Sequence, residues 1–480
     1  MINNENSYAS GKKLRPRGPR SSLTILRPQY DLEARALDYF FLYHVVHVDD
    51  LTEDIPDVAQ GLCICITLWK ASGRKSIMVD TALACVSLAV FAQIQKYQNV
   101  AVDASVRYGR LLRMMQKKVK NIQLLSTTSS DDEETVDAYL LTMLLMGRYE
   151  STMHNDINVA HAYEASAALQ RWVHHEGALI ILERWSEQDL KGCAGPSTTI
   201  MKFARRGMIQ SSFRQNAPLQ DWIINGRRFG ECDFGLAYDR IVIDTITLYQ
   251  QADSLLQCDR FMESALGLVQ NAREIECALR RWTTGFPDEW AFRRRDLERP
   301  NTMLPTEYLP STHLICDKQG YSAVWILYFA TAMLVNSISL KVLDRLATCQ
   351  NFTQTSCVDH QRLNCLQVLH ALSENMTSAV AAFLSVEKVS SKDVDEQHTR
   401  SPPPVLSRMG LIVWPLALAA SVYGIEPQHE KWLKMELSRI GKLLGNGFLE
   451  LAAISPKWTI LNNCNRMADP FEKLCAKVPA

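Results

Sequence analysis

Residues 321 to 340, YSAVWILYFATAMLVNSISL, run for twenty positions without a charge. A stretch of that length either spans a bilayer or fills the interior of a large helical body, because a helix apolar on every side must be covered on every side. Its polar residues favour the second reading. Ser322, Thr331, Asn336, Ser337 and Ser339 make the stretch amphipathic toward its end, and no basic cluster marks a cytoplasmic flank. A second apolar segment, Gly410 to Ile425, is shorter and contains Pro415. Both are expected as helices buried in a large soluble core, with a single-span membrane protein as the alternative.

A core of that kind needs a long chain. This one has 480 residues, about three domain lengths, although an all-helical unit can absorb that much as one body. Hydrophobic residues at 47% and charged residues at 22% exclude collagen-like, mucin-like and wholly disordered chains. Lys+Arg and Asp+Glu both total 52, so no global field draws the body to a polyanion. Any nucleic-acid contact has to come from a local basic segment.

One such segment lies at the start. KKLRPRGPR places Lys12, Lys13, Arg15, Arg17 and Arg20 around Pro16 and Pro19, which favour an extended tail. Five cations there read as a solvated tail, a nuclear import signal or a phosphate-contacting arm, and because they read no base edges the first two are favoured over specific DNA binding. Residues 1 to 30 are assigned to this tail and 31 to 480 to a helical body.

Within the body the apolar spacing is helical, and no series of alternating strands stands out. Leu37, Phe40, Phe41 and His44 recur at intervals of three and four, which puts them on one helical face. Pro56 suits the first position of a following helix. SIMVDTALACVSLAVFAQIQKY, residues 76 to 97, predicts a helix buried on most sides. Ser130 followed by Glu133 fits a capping box ahead of a leucine-rich helix. Further helices are expected near 159–186, 198–214, 238–282, 320–348, 358–386, 405–423 and 428–445. The stretches 284–312 and 388–404 read as long connections, the first a candidate sub-boundary between two packed halves. Arg293-Arg294-Arg295 is expected at a solvated helix end. The fold class that follows is all-α.

Thirteen cysteines are scattered along the chain with no C-x-x-C among them, so reduced thiols in a cytosolic or nuclear compartment are expected. The sequons at Asn351 and Asn375 are then unglycosylated. Phosphate loops, nucleophile elbows and H-E-x-x-H are missing too, and Gly441, Gly445 and Gly447 have the wrong spacing for a phosphate cradle. The one enzyme-like cluster is His44, His47, Asp49, Asp50, Glu53 and Asp54, whose carboxylates resemble the aspartate-rich magnesium motif of all-α terpene synthases. The second motif of those enzymes fails: Asn155-Asp156 starts it, but Val159 replaces the serine and Glu164 comes one residue late. His174 and His175 point about 100° apart on a helix and do not chelate together. No catalytic, cofactor-binding or metal-ligating residue is expected, and no cofactor.

The order of segments carries a resemblance. A basic, proline-broken linker runs into Ala34-Arg35-Ala36-Leu37-Asp38-Tyr39-Phe40, followed by an alanine-rich helix and Tyr108-Gly109-Arg110-Leu111-Leu112. Then come an acidic loop, Met146-Gly147-Arg148-Tyr149-Glu150, Trp172-x-x-His175-x-Gly177-Ala178, and late in the chain Arg408-Met409-Gly410-x-x-x-Trp414-Pro415-Leu416. This resembles the fungal-specific transcription factor domain that follows the Zn2Cys6 binuclear cluster, over about residues 20 to 475. The resemblance implies an all-α regulatory domain of a nuclear, pathway-specific transcription regulator. That family's DNA reader needs six clustered cysteines to bridge two zinc ions, and no cysteine precedes Cys63. The implied partners are proteins of the transcription machinery or a DNA-binding regulator, with a homodimer as an open alternative and no membrane. Direct DNA contact is implied only if a zinc cluster lies upstream of Met1.

Overall fold

A computed structural model of the chain describes residues 21–45, 55–122, 135–153, 173–192, 195–257, 261–297, 308, 310–348, 355–390, 406–455 and 458–461. The described architecture is all-α, with one small two-stranded sheet. Two apolar helices organise it.

The first is α3 (Ile77–Gln95), surrounded by α1 (Ser21–His44), α4 (Gln98–Ile122) and α5 (Val136–Met153). The Ser76 hydroxyl accepts the Val79 N–H and starts α3, and Lys96 in the left-handed region ends it. Between those caps Val79, Ala82, Val86, Ala89 and Val90 are buried on several sides, as a helix without a polar face requires. The amphipathic α4 closes one flank of it: Ala104, Leu111 and Met115 turn inward while Arg110, Arg113 and Lys117 face solvent.

The second organiser is α11 (Gln319–Ala347), which contains the uncharged twenty. Helices α9 (Asp233–Leu256), α10 (Phe261–Thr284), α12 (Thr355–Ser390) and α14 (Val413–Ala419) pack around it. Helices α3 and α11 are both long and apolar enough to cross a membrane, yet 72% and 89% of their most apolar stretches lie buried inside this body. Three buried polar groups of α11 bond within its own helix, Thr331 to the Leu327 carbonyl, Asn336 to Ala332 and Ser339 to Val335, while Ser337 accepts the Tyr423 N–H and Gln319 donates to the Phe383 carbonyl. A Ser or Thr hydroxyl satisfied this way costs an apolar interior little. One contiguous apolar cluster runs from Phe40 through α3 and α11 to Leu461.

The chain also forms α2 (Leu62–Ala71), α6 (Val173–Leu190), α7 (Thr199–Gln215) and the short α8 (Asp221–Ile224), of which α7 touches both α5 and α9. The chain ends in α13 (Leu406–Met409), α14, α15 (Pro427–Leu444) and α16 (Gly447–Glu450). Strands β1 (Arg293–Asp296) and β2 (Thr312–Ile315) pair antiparallel, Arg293 opposite Ile315 and Asp296 opposite Thr312.

Several local expectations are corrected. Arg293-Arg294-Arg295 forms β1, not a helix end, and its partner β2 rests on α12. The single helix expected over 238–282 is two, since α9 closes at Leu256 where the Gln257 N–H turns back to Ser254. The helix expected over 405–423 is also divided. Pro415 lacks an N–H and lies in the first turn of α14, where none is needed. Pro56 leads into a 3-10 turn, Asp57–Ala59, and α2 starts only at Leu62. At α5 the Thr135 hydroxyl accepts the Ala138 N–H, so capping falls to Thr135; Ser130 and Glu133 lie outside the described residues. Helix α1 begins at Ser21 and so takes in residues assigned to the tail.

Candidate functional site

The basic residues Lys12, Lys13, Arg15, Arg17 and Arg20 lie outside the described residues, as do His47, Asp49, Asp50, Glu53, Asp54, Asn155 and Asp156. His44 is described, and it sits in the core. Its ring stacks on Phe40 at 5.5 Å and meets Tyr39 at 5.8 Å, and its Nε2 makes no hydrogen bond among the described residues. Burial, with the Arg148 guanidinium nearby, pushes its pKa down to about 3. At neutral pH it is an uncharged, aromatic-packed side chain. His174 and His175 lie on α6, with side chains outside the description.

Two of the three glycines rejected as a phosphate cradle have structural work instead. Gly445 is the left-handed cap of α15. Gly441 lets α15 and α16 touch: a Cβ there would lie 2.7 Å from the Leu449 Cβ and 2.8 Å from the Glu450 nitrogen. The eight described cysteines are free thiols. Burial pushes Cys63 up to about 11 and Cys85 up to about 12, which keeps both protonated and poorly nucleophilic.

Sequence reasoning missed two polar clusters. The first is an interior ion network. Arg205 on α7 is fully buried, paired with Asp239 of α9, 3.6 Å from Glu231, and bonded through Nε to the Ile223 carbonyl at 2.8 Å. Next to it Arg206 donates to Glu231 at 2.9 Å and to Asp57 at 2.8 Å, and Lys202 lies 3.6 Å from Asp57. Three cations meet three carboxylates, so the network fixes α7 against α9 and the Asp57 turn with its charges balanced.

The second cluster is open to solvent. His370 on α12 places Nδ1 2.9 Å from the Glu426 Oε1, and His429 lies in the first turn of α15. One donor atom from each of His370, Glu426 and His429 falls within 4.8 Å of the others. The His370 and Glu426 side chains are 45% and 44% exposed, whereas His429 is buried. The Ser373 hydroxyl donates to the His370 carbonyl at 2.9 Å and lies 2.9 Å from the His429 Nδ1. Its one proton is committed, so it accepts from Nδ1–H and leaves the His429 Nε2 with its lone pair. Burial holds the His429 pKa below the ordinary imidazole value, Glu426 opposing and His370 reinforcing the shift. The signals for this cluster were the spacings Glu426-x-x-His429 and His370-x-x-x-Glu374, each short enough for one helical face. Nothing in the order of residues joined the two.

No family model matches the chain, and neither does any curated protein or solved structure.

Proposed function

We propose that this chain is the helical regulatory body of a nuclear transcription regulator that acts through protein contacts and performs no reaction. One observation carries the reading: the segments that resemble the fungal regulatory domain hold the helices together. Arg148, from Met146-Gly147-Arg148-Tyr149-Glu150, donates to the Leu444 carbonyl at the end of α15, 296 positions away. Tyr108 stacks on Tyr149 at 4.1 Å and donates to Glu150, joining α4 to α5. Gly177 brings α6 onto α5, where a Cβ would meet Met143 at 2.7 Å. Met409 and Leu416, from the late Arg408 to Leu416 segment, are buried. Residues that fix a scaffold in this way suit a domain recognised by its framework, with function on its surface.

The competing reading is a magnesium-dependent enzyme of the terpene-synthase type built on residues 44 to 54. The stacked, uncharged His44 speaks against its first member as a ligand.

A fluorescent fusion tests the proposal. It should accumulate in nuclei and lose that accumulation when Lys12, Lys13 and Arg15 are neutralised; an even distribution in the wild type would refute it. Magnesium-dependent diphosphate release that disappears in Asp50→Ala would replace it with the enzyme reading.

A further inference from the structure

We infer that His370, Glu426 and His429 form a binding site for a divalent transition ion of the zinc class, joining α12 to the first turn of α15 and leaving a fourth position to water. The inference stands apart from the regulatory reading.

The donor set is two imidazoles and a carboxylate, one of the protein sets that hold zinc with an open coordination position. Two donors on a tetrahedral zinc, each about 2.0 Å from the ion, lie about 3.3 Å apart, and two imidazole ring centres on it lie about 5.2 Å apart. Here the His370 Nδ1 and Glu426 Oε1 are 2.9 Å apart, and the His370 and His429 ring centres are 5.7 Å apart. With all three donors inside 4.8 Å, closing on an ion asks for side-chain movements of about 1 Å.

What separates this cluster from an ordinary surface ion pair is that each ligand is oriented from behind. The His429 Nδ1–H is held by Ser373, which aims Nε2 as the ligand atom. Glu374 lies 3.6 Å from the His370 Nε2, one turn along α12, and favours Nδ1 of that ring as the ligand. Glu426 occupies the N-cap of α15 without capping it, and Gln428 donates to its Oε2 at 2.6 Å, leaving Oε1 for the ion. Partners of this kind fix tautomer and ring orientation in metal sites. The N-terminus of α15 opposes a cation with roughly half a positive charge. The carboxylates of Glu374 and Glu426 outweigh it.

Cobalt(II) titration of the full chain, freed of metal by chelation, tests the site. The expected result is one equivalent bound, with visible d–d bands of nitrogen and oxygen ligation and no thiolate charge-transfer band. His370→Ala and Glu426→Gln should each weaken binding about 100-fold, and Glu374→Gln about 10-fold. Zinc should raise the melting temperature of the wild type and not that of His370→Ala. Replacing the buried His429 threatens folding, so the two exposed ligands are the deciding variants. Three results would overturn the inference: no saturable binding, a titration unchanged in His370→Ala, or a thiolate band placing the ion on a cysteine, of which Cys232, Cys277 and Cys357 are exposed among the described residues.

Discussion

Acidification should destabilise this protein through His44 well before its carboxylates titrate. The His44 ring has an ordinary pKa of 6.5 when the chain is unfolded and about 3 in the folded core. A folded pKa below the unfolded one means that the unfolded state takes up the proton first. The stabilising contribution of neutral His44 is therefore complete above pH 6.5 and is lost as the pH falls from 6.5 toward 3. Each pH unit in that window costs about 1.4 kcal/mol, so a drop from pH 7 to pH 5 removes about 2 kcal/mol. His44→Phe keeps an aromatic ring against Phe40 and cannot titrate. Among the eleven histidines, the imidazole resonance that disappears in His44→Phe belongs to His44. In the wild type that resonance should remain in its neutral position down to pH 5. The melting temperature of the wild type should also fall more between pH 7 and pH 5 than that of the variant. A His44 resonance that titrates near 6.5 would refute the burial argument and return this ring to the candidates for metal or proton chemistry.

Two further outcomes concern the interior. Asp239→Ala leaves the fully buried Arg205 without its paired carboxylate, and loss of one partner of a buried pair costs about 3–5 kcal/mol; a urea midpoint close to that of the wild type would show that Glu231 suffices alone. Gly441→Ala forces a methyl group into the 2.7 Å approach to Leu449, an overpacking that costs about 1–3 kcal/mol, and an unchanged melting temperature would show that α15 and α16 can separate freely.

Much of the architecture was legible because its driving force is local in sequence. The uncharged run within α11 and the apolar run of α3 were too long for short strands and left a buried core helix or a bilayer span as readings, and in the structure most of each lies inside the body. The period of α1 already put His44 beside Phe40, on the side that turned out to face the core. Strand β1 was hidden because Arg293 to Asp296 are all exposed and carry no alternation of apolar and polar side chains. Its partner lies across the 284–312 connection, so pairing and not composition makes it a strand. The interior network was hidden for a related reason. Lys202, Arg205 and Arg206 read as a cationic stretch of α7 until Asp57, Glu231 and Asp239 arrive from three other segments. His370 and His429 belong to helices that meet only in the folded body, and spacing along one helix cannot report a neighbour on another.

Helix α15 is tethered at both ends. Its 18 residues make a rod about 27 Å long, with Glu426 and His429 beside α12 at one tip and the Leu444 carbonyl gripped by Arg148 of α5 at the other. Shortening such a rod would break its internal ladder of bonds, so it transmits thrust along its axis with little give. A displacement of the solvent-facing tip would therefore reach the half-buried Arg148 guanidinium of α5 at the other end.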